Sequence, residues 1–193
     1  MKTLASLALL CLLGSARAGL AKETCSKLEG AEGQKLLESL QRDRAGLEPD
    51  CILYALNQLG DHPFPPAVKT LVGYLDTPPW TNDIPGIPHE VTAKTMFFPA
   101  VVAVAGIGKP AVPALMDAIG GPDLSEMARK NAVQALQFIH SGEISQAIGA
   151  LVRESRAAKD TVVSARLLDT ARETAARCPD LLKDACQRAL TER

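Results

Sequence analysis

The segment "PAVPALMDAIG", residues 110–120, is repeated in similar form at residues 66–76 as "PAVKTLVGYLD". Both copies follow the pattern Pro-Ala-Val-x-x-Leu-x-x-x-Leu/Ile, whose apolar positions fall on one face of a helix. A weaker third copy begins at Glu143 and keeps the helical spacing of apolar residues as far as Val152. Repetition at intervals of 44 and 33 residues is typical of an array of supersecondary units.

A second segment with apolar residues every three or four positions accompanies the first two copies. Residues 52–59 precede the first copy, and residues 127–139 follow the second. The repeating unit is therefore predicted to be a helical hairpin in an all-α protein, and no segment alternates as a strand would. Helices are predicted over residues 34–43, 48–60, 66–76, 90–106, 110–120, 124–140, 143–157, 161–177 and 180–191.

Prolines and glycines predict where the central helices begin and end. Pro110 suits a first helical position, because its missing N–H would have no intrahelical acceptor there. Pro113 removes a hydrogen bond if the helix has already started, so the helix either begins again or bends at this residue. Gly106 and Gly108 are expected to end the preceding helix, one of them with a left-handed backbone.

Residues 108–139, "GKPAVPALMDAIGGPDLSEMARKNAVQALQFI", resemble a HEAT repeat, and more closely the short kind named for phycobilin lyases. The likeness depends on the proline-rich start of the first helix and on small and apolar positions of the second helix. The matching residues of the second helix are Ala132, Ala135, Leu136 and Ile139. The resemblance implies a right-handed α-solenoid of about four HEAT-like hairpins, which would occupy residues 19–193 as a single domain.

The resemblance also implies a ladder of charged side chains between neighbouring repeats. In this family an acidic residue in the turn and an arginine in the second helix form the ladder. Asp123 and Arg129, six residues apart, match these positions, and Asp160 and Arg166 repeat the spacing.

Residues 1–18, "MKTLASLALLCLLGSARA", have the features of a secretory signal peptide. Lys2 precedes an apolar run from Leu4 to Leu13, and Ala16-Arg17-Ala18 is a small-x-small cleavage pattern. The run is about half the ~20 residues that a membrane span requires. We therefore expect an exported protein, periplasmic or secreted, with no membrane span after cleavage.

Four cysteines remain after the predicted cleavage, which in an exported chain indicates two disulfides. Three pairings are possible, and the order along the chain favours Cys25 with Cys51 and Cys178 with Cys186. A zinc site is the alternative, although neither pair has short ligand spacing or a histidine nearby. A metal site built from His62, His89 and a carboxylate is a further, weaker alternative. We predict no metal and no cofactor.

The composition argues against nucleic acid as a partner and against catalysis. Removal of Lys2 and Arg17 leaves 19 basic and 22 acidic residues, a net charge of −3, with no basic block. Only 4% of the residues are aromatic, so base stacking also lacks its usual side chains. Serine nucleophile motifs, phosphate-binding glycine loops and paired-histidine zinc motifs are missing from the sequence.

Residues 77–89, "TPPWTNDIPGIPH", are the first candidate for a binding surface. They hold the 11 residues by which the first repeat interval exceeds the second, with four prolines and the only tryptophan. Long loops and tryptophan are both enriched at binding sites, so Trp80 and Asp83 are candidate contacts. Alternatively, Trp80 covers the apolar flank of the repeats. Arg129 and Lys130 are candidates for binding an acidic partner, unless Arg129 serves the ladder.

These features predict a non-catalytic, exported module that binds or scaffolds a protein partner of unknown identity. One alternative is a small apolar-ligand carrier that uses Trp80 and the apolar helix around Pro99, a residue expected to kink that helix. A chromophore-lyase-like enzyme, implied only by the name of the repeat, is the other. Fold does not determine function, so the choice rests on analogy.

Overall fold

The computed structural model describes residues 25, 28, 30–42, 47–78 and 98–191, which form α-helices and short 3₁₀ turns with no β-strand. The predicted all-α class is confirmed. The helices are α1 (Gly33–Arg42), α2 (Pro49–Asp61), α3 (Val68–Val72), α4 (Pro99–Ile107), α5 (Val112–Gly120), α6 (Glu126–Ile139), α7 (Ile144–Ala157), α8 (Thr161–Ala176) and α9 (Lys183–Thr191). The 3₁₀ turns are Pro65–Ala67, Lys109–Ala111 and Asp180–Leu182.

Helices α3 and α5 begin in the same way, each directly after a proline-containing 3₁₀ turn. Pro110 lies in the turn and Pro113 is the second residue of α5. An N–H at that position has no intrahelical acceptor, so Pro113 breaks no helical hydrogen bond. The sequence predicted that the helix either begins again or bends at Pro113. The structure has the first alternative.

The predicted kink at Pro99 is wrong. Pro99 is the first residue of α4, a position where proline starts a helix without disturbing it. The predicted helix over 90–106 coincides with α4 in its second half, and residues 90–97 lie outside the described residues. Gly108 follows α4 with a φ of 76°, which confirms that one glycine ends this helix with a positive φ.

Helices two apart in chain order pack against one another in the N-terminal part of the described structure. Helix α1 contacts α3 and α3 contacts α5, while α2 contacts α4 and α4 contacts α6. The repeats at residues 66–76 and 110–120 are therefore neighbours. In α4, Ala100, Val101, Ala103 and Val104 are all 0% exposed, because this helix is covered from more than one side.

Helix α8 packs differently from the helices before it, because it contacts α5 as well as α7 and α9. A Cβ atom added to Gly120 at the end of α5 would lie only 2.6 Å from Cγ1 of Val163 on α8. The Nη1 group of Arg166 donates a hydrogen bond to the Gly120 carbonyl at 3.1 Å. The end of α5 and the start of α8 are thus in close contact.

The two cysteine pairs predicted from chain order lie at disulfide distance. Cys25 pairs with Cys51 in α2, with their Cα atoms 5.2 Å apart. Cys178 pairs with Cys186 in α9, with a Cα separation of 6.6 Å. The first disulfide joins the segment before α1 to α2, and the second joins α9 to the end of α8.

Among the described residues, no single helix has both the length and the apolar character to cross a membrane. Helix α4 and the segment Lys109–Gly120 meet these criteria only when taken together, and they are bent by 110° relative to each other.

Candidate functional site

Two of the four predicted binding residues lie in the described structure. Arg129 and Lys130 are on α6 and line an open groove of about 450 Å³ between α6 and α8, named here the α6–α8 groove. Trp80 and Asp83 lie outside the described residues, as does most of the loop 77–89. The residues lining the groove are Glu126, Arg129, Lys130, Val133, Thr170, Glu173, Thr174 and Arg177.

Sequence reasoning missed the α8 side of this groove. Thr170, Glu173 and Thr174 recur at helical intervals on one face of α8, and Arg177 directly follows the end of this helix. That polar stripe is visible in the sequence. The helix that lies opposite this stripe cannot be identified from the sequence, because the placement of α6 across from α8 depends on tertiary packing.

The start of α6 is anchored to the preceding hairpin. Ser125 caps the helix by accepting a hydrogen bond from the amide of Ala128 at 3.1 Å, and its hydroxyl donates to Asp76 at 3.2 Å. One turn further on, the buried Asn131 donates its amide N–H to the carbonyl of Leu75 at 2.6 Å. These bonds fix the rotation of α6 and therefore the face that carries Arg129 and Lys130.

Arg129 has donors that the described residues do not satisfy. Its Nε atom is buried and has no hydrogen-bond acceptor there, and its Nη2 group is 3.5 Å from the Leu124 carbonyl, a long contact. An unsatisfied buried donor costs roughly 1–3 kcal/mol, and more on a charged group.

Lys130, in contrast, is already paired. Its Nζ atom lies 2.6 Å from Oε1 of Glu126, one turn earlier on α6. The hydrogen bond and the charge of Lys130 together lower the pKa of Glu126, with a smaller contribution from Arg177. Because this pair is internally neutralised, the positive character of the α6–α8 groove depends mainly on Arg129 and Arg177, opposed by Glu173.

The α8 side offers little reactive chemistry. The hydroxyl of Thr170 donates to the Arg166 carbonyl at 2.8 Å, and that of Thr174 donates to the Thr170 carbonyl at 2.7 Å. Both hydroxyls are therefore engaged by their own helix. The lining residues include no serine, cysteine or histidine. The arrangement suits binding of hydrogen-bond acceptors.

The four residues of the ladder implied by the HEAT resemblance all lie in the described structure. Within residues 98–191, no ion pair joins Asp123 to Arg129 or Asp160 to Arg166. Asp123 is exposed in the turn before α6. Arg129 instead turns towards the Leu124 carbonyl in that same turn.

Asp160 and Arg166 have separate partners, and each partner is a main-chain group at the end of a helix. The carboxylate of Asp160 caps α8 by accepting from the amides of Val162 and Val163, at 2.7 and 3.2 Å. Arg166 reaches the Gly120 carbonyl at the end of α5, one of the carbonyls that a helix leaves unpaired. Arg166 therefore connects α8 to α5 through a main-chain carbonyl.

The metal site of His62 and His89, the weaker alternative in the sequence, falls only partly within the described residues. His62 directly follows α2, and His89 lies outside the described residues. Within the described ranges, no three side chains of His, Cys, Asp or Glu are grouped to hold a metal ion.

Comparison with known proteins adds no further constraint on this site. No family model, curated protein or solved structure matches the chain.

Proposed function

We propose that this protein is an exported, non-catalytic binding or scaffold module of the HEAT-like kind, which holds a protein partner in the α6–α8 groove. The observation that carries the proposal is the Arg129 guanidinium, which lines the groove while its Nη2 group has only a long 3.5 Å contact with the Leu124 carbonyl. A main-chain carbonyl or a carboxylate of the partner would accept hydrogen bonds from this guanidinium. Such buried arginine contacts are enriched among residues that dominate interface energies.

Two rows of contacts support a right-handed α-solenoid of about four hairpins. The first helices α1, α3 and α5 touch in order, and so do the second helices α2, α4 and α6. Side-by-side packing of equivalent helices is how helical repeats bury their apolar faces. The different packing of α8, which contacts α5 as well as α7 and α9, suits the atypical end that such arrays need.

The two disulfides support export, since such bonds persist in oxidising compartments. The groove lining supports binding over catalysis, because it contains no serine, cysteine or histidine and its threonine hydroxyls are engaged. Around Pro99, α4 is packed by α2, α3 and α6, so the described residues do not favour the alternative of an apolar-ligand carrier.

Affinity capture from the native extract with wild type and Arg129→Met tests the proposal. Methionine keeps an apolar side chain of similar length while removing every donor. Arg172→Met is the matched control, because Arg172 lies on α8 in an exposed ion pair with Asp169. We expect the captured partner to be lost with Arg129→Met and retained with the control, with circular dichroism unchanged in both.

Equal recovery of the same partner by wild type and Arg129→Met would contradict binding at the groove. A third variant that lacks residues 77–88 distinguishes the two predicted surfaces. If this deletion alone abolishes capture, the partner binds the loop around Trp80.

A further inference from the structure

A second cleft lies between α7 and α9, on residues that the proposed function does not use. It has a volume of about 310 Å³ and is named here the α7–α9 cleft. The residues that line it are Ser145, Gln146, Gly149, Arg153, Ala185, Arg188 and Ala189. The lining therefore holds two positive charges and no acidic side chain, although the chain as a whole has a net charge of −1.

Both arginines of this cleft have free guanidinium groups. In the described part of the chain, neither Arg153 nor Arg188 forms a side-chain hydrogen bond or ion pair, whereas Arg42 and Arg172 each lie within 3.4 Å of a carboxylate. Both side chains are exposed and line the same cleft, so their guanidinium donors are available to a ligand. Uncompensated like charges of this kind attract an anion.

The shape of the cleft allows a ligand to approach closely. Gly149 and Ala189 are buried, and Ala185 is half-buried, so the base of the cleft is made of small residues. Gln146 donates its amide N–H to Glu143 at 2.6 Å, so this amide is already paired within its own helix end. The volume lies at the lower end of the range typical of small-molecule sites, ~300–1,000 Å³.

We propose that the α7–α9 cleft binds a small ligand through an oxyanion group, phosphate or carboxylate, held between Arg153 and Arg188. The planar guanidinium donates two parallel hydrogen bonds to either kind of oxyanion. The site is separate from the α6–α8 groove, so it functions whether or not a protein partner occupies that groove.

Titration calorimetry of the full mature chain at low ionic strength tests this assignment, with tripolyphosphate and citrate as probes. Arg153→Gln and Arg188→Gln are each expected to weaken binding about tenfold, as loss of one charge-assisted contact predicts. Arg172→Gln removes the same charge from α8 and is expected to leave the affinity unchanged. Arg153→Lys keeps the charge but loses the two-point contact, so its affinity should fall between those of wild type and Arg153→Gln.

The two probes identify the source of the oxyanion. Binding of tripolyphosphate alone assigns a phosphate ligand, binding of citrate alone assigns a carboxylate ligand, and equal binding assigns the shared chemistry. Two results would overturn the assignment: no binding of either probe, or an equal loss with Arg172→Gln. Loss of probe binding with Arg129→Met but not with Arg153→Gln would also overturn it, because the anion would then occupy the α6–α8 groove.

Discussion

Ser141 carries the least favourable backbone of the described structure. It follows α6 with a φ of 59°, the only non-glycine residue with a positive φ among those described. The helix end is closed by the amide of Gly142, which donates to the Gln137 carbonyl at 2.8 Å. Most L-residues lose roughly 1–2 kcal/mol in this left-handed conformation.

Ser141→Gly is therefore expected to stabilise the protein. Relief of the left-handed strain exceeds the extra entropy that glycine loses on folding, for a net gain of ~0.5–1 kcal/mol. Urea denaturation of wild type, Ser141→Gly and Ser141→Ala measures the effect, with alanine as the control that keeps the Cβ atom. A glycine variant no more stable than the alanine variant would show that Ser141 is not strained.

The charge network of the groove is also testable at a single residue. Lys130→Gln should raise the pKa of Glu126 towards its ordinary value, because the hydrogen bond and charge of Lys130 are the main causes of its depression. A depressed pKa means that the pair stabilises the fold above the unfolded pKa of Glu126 and loses this effect as the pH falls through the folded pKa. A ¹³C NMR titration of the glutamate side chains in wild type and Lys130→Gln measures the pKa of Glu126.

Arg177→Gln should raise the pKa of Glu126 by a smaller amount, because Arg177 is the minor cause. A larger change with Arg177→Gln than with Lys130→Gln would mean that the groove charges are arranged differently.

At the scale of elements, most helix boundaries could be predicted within two residues. Prolines and glycines specify backbone states that only helix starts and ends accept, as the turns before α3 and α5 illustrate. Pro99 shows the limit of this reasoning. Met96, Phe97 and Phe98 continue the apolar character of α4 backwards in the sequence, so the predicted helix crosses a residue that in fact begins α4.

The contact between α5 and α8 gives a prediction at the same scale. Gly120→Ala should destabilise the protein by about 1 kcal/mol, because overpacking against Val163 outweighs the gain in helix propensity. In a Val163→Ala background the same change should become neutral or stabilising. Denaturant unfolding of the four proteins of this double-mutant cycle measures the coupling, and an equal effect in both backgrounds would refute the contact.

At the scale of the whole molecule, sequence alone could not predict which helices meet across the groove. The polar stripe of α8 and the cationic residues of α6 can each be identified from the sequence. Their position across from each other depends on the packing of α8 against α5. The similar sequences at residues 66–76 and 110–120 predicted a contact that the structure has between α3 and α5, because similar apolar faces bury one another. The packing of α8 on α5 has no such signal in the sequence and depends on contacts such as that of Arg166 with Gly120.

The two disulfides should differ in their effect on global stability. Cys25 and Cys51 are 26 residues apart in sequence, and Cys178 and Cys186 are 8 apart. Loop-closure entropy predicts a loss of ~3.5 kcal/mol when the first pair is changed to alanine and ~2.5 kcal/mol for the second. Urea unfolding of both double-alanine variants measures the losses. The reverse order would show that the chain-entropy account does not apply to this fold.

The occupancy of the α6–α8 groove by a protein partner can be measured most directly by photo-crosslinking in the native host. A photoreactive phenylalanine analogue replaces Glu173, an exposed residue that lines the groove, or Glu154, an exposed residue of α7 outside it. We expect a discrete cross-linked partner from position 173 and none from position 154. Cross-links absent at position 173, or identical at the two positions, would contradict it.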